Sequence, residues 1–152
     1  MQLTRQRIQL AVCAALLASA TTLVVLARPA TVISADFNND GAFDCLDINA
    51  LTNEIAAGTN DAAFDLNGDN VVNLDDRDAW LAEAGAANLA SGNPFLIGDA
   101  NLDGLVDGQD FIIWNATKFT NDADYCSGDF NADGVVDGSD FNLWNERKFT
   151  SS

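Results

Sequence analysis

Four short stretches of this chain place oxygen-bearing side chains at one repeated spacing. Counted from its first residue, position 1 of each stretch is Asp36, Asp65, Asp99 and Asp129. Position 3 is Asn38, Asn67, Asn101 and Asn131, and position 5 is Asp40, Asp69, Asp103 and Asp133. Position 9 is Asp44, Asn73, Asp107 and Asp137, and position 12 is Asp47, Asp76, Asp110 and Asp140. Short carboxylate and amide side chains at alternating positions converge when the backbone winds tightly. An all-oxygen set of that kind suits a hard divalent cation.

Each stretch fits a 12-residue EF-hand-type calcium loop. Position 6 must turn with φ > 0, and Gly41, Gly104 and Gly134 stand there, with the tolerant Asn70 in the second loop. Position 7 offers a backbone carbonyl, from Ala42, Val71, Leu105 and Val135. Position 8 is apolar throughout: Phe43, Val72, Val106 and Val136. One such segment alone would also make a plain turn, because Asn, Asp and Gly favour turns. Four copies agreeing at so many positions favour metal, and calcium over magnesium, which keeps more water. The chain would then hold up to four calcium ions, with the second loop the weakest site. Position 12 carries Asp where a bidentate Glu is usual, which should tune affinity without abolishing it.

These loops need elements to hold them. A short helical pattern follows each one: Ile48, Leu51 and Ile55; Trp80, Leu81 and Ala84; Phe111 and Trp114; Phe141 and Trp144. Position 12 then lies at a helix start, where Asp complements the dipole. Gly58 and Gly85 are expected to end the first two helices. No helical period enters any loop. The starts are 29, 34 and 30 residues apart, so the copies group as two pairs. Residues 98–120 and 128–150 agree at 15 of 23 positions.

A tandem calcium loop with only an exiting helix resembles the type I dockerin module, over residues 35–52, 64–82, 98–119 and 128–149. Phrases such as GDANLDG and FIIWN are also similar to repeat segments of secreted planctomycete-type bacterial proteins. The resemblance implies a small, mainly α fold: two dockerin-like pairs, at 34–92 and 93–152, with short strand contacts between paired loops. It also implies calcium-dependent binding of a protein partner, cohesin-like or another envelope protein, and association with polysaccharide-degrading assemblies. Dockerins read their partners at loop positions 10 and 11, often a Ser-Thr pair. Here those positions are Cys45 and Leu46, Leu74 and Asp75, Gly108 and Gln109, Gly138 and Ser139. The calcium chemistry therefore transfers residue by residue, whereas cohesin recognition does not.

Composition narrows the function further. The 152 residues carry 23 acids, 7 bases and no histidine, for a net charge of −16. A nucleic-acid partner is not expected from so few bases. Histidine catalysis is impossible, and no nucleophile, base and pocket stand out together, so an enzyme is not expected. Residues 1–27 have a basic start at Arg5 and Arg7, then an apolar run to Ala27. That is an export signal, cleaved after Ala20 or Ala27, or else an uncleaved N-terminal membrane anchor. The expected location is secreted or extracytoplasmic, with membrane contact only if the segment stays. Beyond Ala27, five bases face all 23 acids, a net −18, and 15 of those acids are proposed ligands. So much like charge is destabilising unless cations neutralise it.

Cys45 and Cys126 remain after signal removal. An even pair in an exported chain favours a disulfide over two buried thiols. The matching aromatics Phe111 and Phe141, Trp114 and Trp144, Phe119 and Phe149 are expected to share a core. Ile112, replaced by Asn142 in the other copy, is expected to face outward as a candidate partner contact. Two functional readings stand: a calcium-dependent binding or anchoring module, and a calcium-stabilised structural or calcium-storing protein with no specific partner.

Overall fold

A computed structural model describes residues 35–122 and 124–152; the export signal or anchor expected at 1–27 lies outside them. Four helices follow four loops: α1 (Cys45–Ala57), α2 (Leu74–Asn88), α3 (Gly108–Thr117) and α4 (Gly138–Arg147). A two-stranded antiparallel sheet joins β1 (Leu105–Val106) to β2 (Thr150–Ser151), and a 3-10 turn spans Tyr125–Ser127. The protein is small and mainly α.

Every helix starts the same way. Position 9 of its loop is the N-cap (Asp44, Asn73, Asp107 and Asp137), and position 12 is the third helical residue. The N-cap side chain accepts from the backbone at the helix start, and the position-12 Asp reaches back to the N-cap N–H. This reciprocal box satisfies donors that a helix start leaves orphaned. Gly58 caps α1 with φ 64°. Gly85 does not end α2, which runs on to Asn88 and is capped by Leu89. Gly85 serves close packing instead: a Cβ there would lie 2.3 Å from the Asn93 carbonyl oxygen.

The strand contacts differ from the expected loop-to-loop pairing. β1, from the third loop, pairs with the tail behind α4, matching Leu105 to Ser151 and Val106 to Thr150. The tail behind α3 repeats this on the fourth loop, where Thr120 bridges Val136. Each tail turns back through a left-handed residue, Phe119 (φ 66°) or Phe149 (φ 67°), whose N–H meets the facing loop's position-8 carbonyl. With no entering helices to bring loops edge to edge, the returning tails meet those backbone groups. In the first pair, side-chain amides make the equivalent bonds. Asn60 accepts from the Val72 N–H at 2.7 Å, and Asn88 donates to the Phe43 carbonyl at 2.7 Å.

The core crosses the division between 92 and 93. Ile48, Leu51, Trp80 and Leu81 pack in one buried cluster with Phe95, Val106, Tyr125 and Phe130. Cys45 and Cys126 are joined, with an S–S distance of 2.04 Å. Beside that bond, Asn49 accepts from the Cys126 N–H, and Asn53 donates to Asp124. Phe111, Trp114, Phe141 and Trp144 form an aromatic cluster between α3 and α4. Phe119 and Phe149 are not core: they are 76 % and 79 % exposed, because the left-handed turn projects each side chain away while its backbone pairs. Ile112 is 66 % exposed.

Candidate metal centres

All four loops share one internal hydrogen-bond network. The position-12 carboxylate accepts from the N–H groups of positions 2 and 3 through one oxygen and of position 9 through the other. In the third loop, Ala100 donates to Asp110 Oδ1 at 2.8 Å and Asp107 donates to Oδ2 at 2.8 Å. In the fourth loop, Phe130 and Asp137 make the same bonds to Asp140 at 2.9 Å each. Asp47 and Asp76 repeat them in the first two loops.

The position-1 carboxylate takes the position-6 N–H: Gly41 to Asp36, Asn70 to Asp65, Gly104 to Asp99 and Gly134 to Asp129, at 2.8–2.9 Å. Positions 3 and 5 accept from the N–H groups two residues on, as Asn101 does from Asp103 and Asp103 from Leu105. Position-6 residues have φ of 88°, 70°, 87° and 86°. Asn70 thus adopts the turn that glycine makes elsewhere, and the second loop keeps the whole network. The proposed position-7 donors Ala42, Val71, Leu105 and Val135 are each held at the N–H by the position-5 carboxylate.

Burial and charge set these loops apart from plain turns. Asp47, Asp76, Asp99, Asp110, Asp129 and Asp140 are fully buried, and Asp65 nearly so. Burying a carboxylate without a compensating charge is costly, and the group responds by holding its proton. Burial lifts Asp99 from 3.8 to about 7, with a further rise from the nearby charge of Asp110. It lifts Asp129 to about 6, with Asp140 adding to the rise. Asp110 and Asp140 are also raised, again chiefly by burial. In each case backbone N–H donors oppose the rise without cancelling it.

Among the described residues, no lysine or arginine pairs with these four carboxylates; the one ion pair there joins Arg77 to Asp78, outside the donor sets. Lys118 and Lys148 lie over the Trp114 and Trp144 rings, at 5.8 Å and 5.9 Å. Among the described residues, no three His, Cys, Asp or Glu side chains converge as a ready-made cage. Each inferred set holds three or four Asp carboxylates besides an Asn oxygen and a backbone carbonyl, and those carboxylates are turned to backbone N–H groups, as Asp99, Asp103 and Asp110 are in the third loop. Its hard, anionic, buried oxygens fit calcium chemically.

Several supports had no voice in the repeat spacing. Gly98 and Gly128, just before position 1, have φ of 101° and 110°. A Cβ on them would lie 3.1 Å and 3.0 Å from the Trp144 and Trp114 Cα atoms. Their identity in the two closest copies was the available signal. Trp114 and Trp144 exchange bonds across the pair: each indole N–H donates to the other loop's position-9 carbonyl, Asp137 or Asp107, at 2.9 Å. Position 4 is left-handed in every loop, even at Leu102 (φ 56°) and Ala132 (φ 55°). Such backbone costs about 1 kcal/mol or more for a residue with a Cβ, so the surrounding network must hold it. The buried Tyr125 hydroxyl donates to the Leu96 carbonyl and accepts from the Gly98 N–H. No known family model, curated protein or solved structure matches the chain.

Proposed function

We propose that this chain is a non-catalytic, exported calcium-binding module that binds or anchors a protein partner in a calcium-dependent way, on the pattern of a dockerin. One observation carries the calcium reading: paired, buried Asp carboxylates at positions 1 and 12, with no basic side chain paired to them in the third and fourth loops. A bound calcium would supply the missing positive charge. Asp99, Asn101, Asp103, Asp107, Asp110 and the Leu105 carbonyl would hold one ion, and the matching residues of the other loops would hold theirs. In the third loop, for example, the Asp99, Asp103 and Asp110 carboxylates are taken up by backbone N–H groups, and bound calcium would draw them together.

Phe119 and Phe149, large apolar side chains exposed at matching slots of the last two copies, favour a partner over a purely structural role. The structural or storage reading draws support from the core that joins all four loop-helix units. Association with polysaccharide-degrading assemblies follows from the dockerin resemblance alone. Calorimetry with calcium, run beside far-UV circular dichroism, tests the metal reading: three or four sites with rising helicity are expected. Absence of heat and of spectral change would refute it. Pull-down from the source envelope with and without calcium separates a partner-binding module from a structural one.

A further inference from the structure

The loops are wired to one another by buried side chains, and one of these links the second loop to the fourth. Arg77 directly follows Asp76, position 12 of the second loop, in the first turn of α2. Its side chain is buried, although an arginine head normally stays in water. Asp78 accepts from its Nε and Nη2 at 2.9 Å and 2.6 Å, which leaves Nη1 to donate to the Phe130 carbonyl at 2.7 Å.

Phe130 is position 2 of the fourth loop. The peptide plane that carries its carbonyl also carries the Asn131 N–H, which donates to Asp140 Oδ1 at 3.2 Å. One rigid peptide unit is therefore gripped on one edge by Arg77 and on the other by the fourth loop's position-12 carboxylate. Rotating it breaks both bonds. Phe130 is further fixed by its own N–H on Asp140 and by its ring against Tyr125, centroids 5.3 Å apart.

We infer that Arg77 couples the filling of the second loop to that of the fourth, an inference that rests on the calcium reading above. A metal in the second loop would order Asn73 and Asp76, the cap and third residue of α2, and so set the helix turn from which Arg77 projects. Arg77 would then hold the Phe130–Asn131 peptide, and through it Asp140, in the orientation the fourth loop uses. Arginine suits this task because its planar fork can bind Asp78 and the carbonyl at once.

The test follows each loop of the full chain through its own position-6 amide by NMR during calcium titration. Asn70 reports the second loop and Gly134 the fourth. Asp69→Ala, at an exposed position-5 donor, weakens the second loop. With Arg77 intact, this change should raise the calcium midpoint at Gly134 about tenfold, within the usual range of site coupling. In an Arg77→Gln background the same change should move it less than about twofold. Equal shifts in both backgrounds, or none with Arg77 intact, overturn the coupling. Should Arg77→Gln misfold, the reverse arm tests the coupling without it: Asp133→Ala, which weakens the fourth loop, should raise the Asn70 midpoint as well. A shift at Gly134 with none at Asn70 refutes the inference. In the metal-free chain, Arg77→Lys should speed hydrogen exchange at Asn131 more than at Asn101, its counterpart in the third loop, and equal exchange would count against the link. Calcium shifting none of the four amides of the intact chain would instead defeat the calcium reading itself.

Discussion

Without calcium, this chain should become less stable as pH rises from 4 to 8. The sign follows from the buried position-1 carboxylates. Asp99 holds its proton up to about pH 7 in the folded chain and Asp129 up to about pH 6, against 3.8 for a free side chain. Between those values the folded chain binds more protons than the unfolded one, so unfolding free energy falls as pH climbs. The stability present below pH 3.8 is lost through about pH 6 to 7. Each tenfold change in proton affinity corresponds to about 1.4 kcal/mol, so after allowing for solvent screening the two sites together contribute on the order of a few kcal/mol. That is a sizeable share of the stability of a small domain, about 5–15 kcal/mol. The assay is urea unfolding of calcium-stripped protein at pH 4.5, 6 and 8, repeated with saturating calcium at pH 6 and 8. The stripped midpoint should fall across the series, and calcium should restore it at pH 8. Asp99→Asn with Asp129→Asn should flatten the stripped profile while weakening calcium binding at both loops. A stripped midpoint that stays level or rises with pH refutes the claim that uncompensated buried charge dominates these loops.

Reducing the Cys45–Cys126 bond, or replacing both residues by Ser, should cost about 4 kcal/mol by the chain-entropy account, since the bond spans 81 residues; denaturant midpoints measure this, and a thiol assay on the native chain should find neither thiol free. Gly98→Ala or Gly128→Ala should each lower stability by about 2 kcal/mol or more, because a Cβ meets a tryptophan backbone at a left-handed φ; a loss under about 0.5 kcal/mol in thermal melts would contradict the close approach. Ile112→Asp should leave the melting temperature within about 2 °C, as an exposed site allows, yet weaken capture of an envelope partner; unchanged capture removes Ile112 from the contact surface.

Much of the loop chemistry is legible in the sequence because it is local. Asp110 and the N–H groups it caps at Ala100, Asn101 and Asp107 all lie within one 12-residue loop. The spacing therefore carries the donor pattern and the helix start together. Gly58 could be read as a helix end because its left-handed cap involves only its own helix. Gly85 could not, because its role depends on Asn93 and Phe95 arriving from a later segment. The matching slots of Phe119 and Phe149 suggested shared burial, but repetition shows only that two positions have equivalent surroundings. Both surroundings are solvent-facing turns.

By itself, then, the sequence determined four acidic loops, four short helices, the charge imbalance and the absence of histidine chemistry, since each depends on neighbours within a dozen residues or on simple counting. Tertiary structure decided what those loops lean on. It placed the returning tails on the facing loops, exchanged the Trp114 and Trp144 bonds across the second pair, and put the Arg77 guanidinium on the Phe130 carbonyl, 53 residues away. It also buried the position-1 and position-12 carboxylates of the third and fourth loops without a paired base among the described residues. Spacing along a chain does not encode such arrangements, because they depend on how separate helices pack around one core.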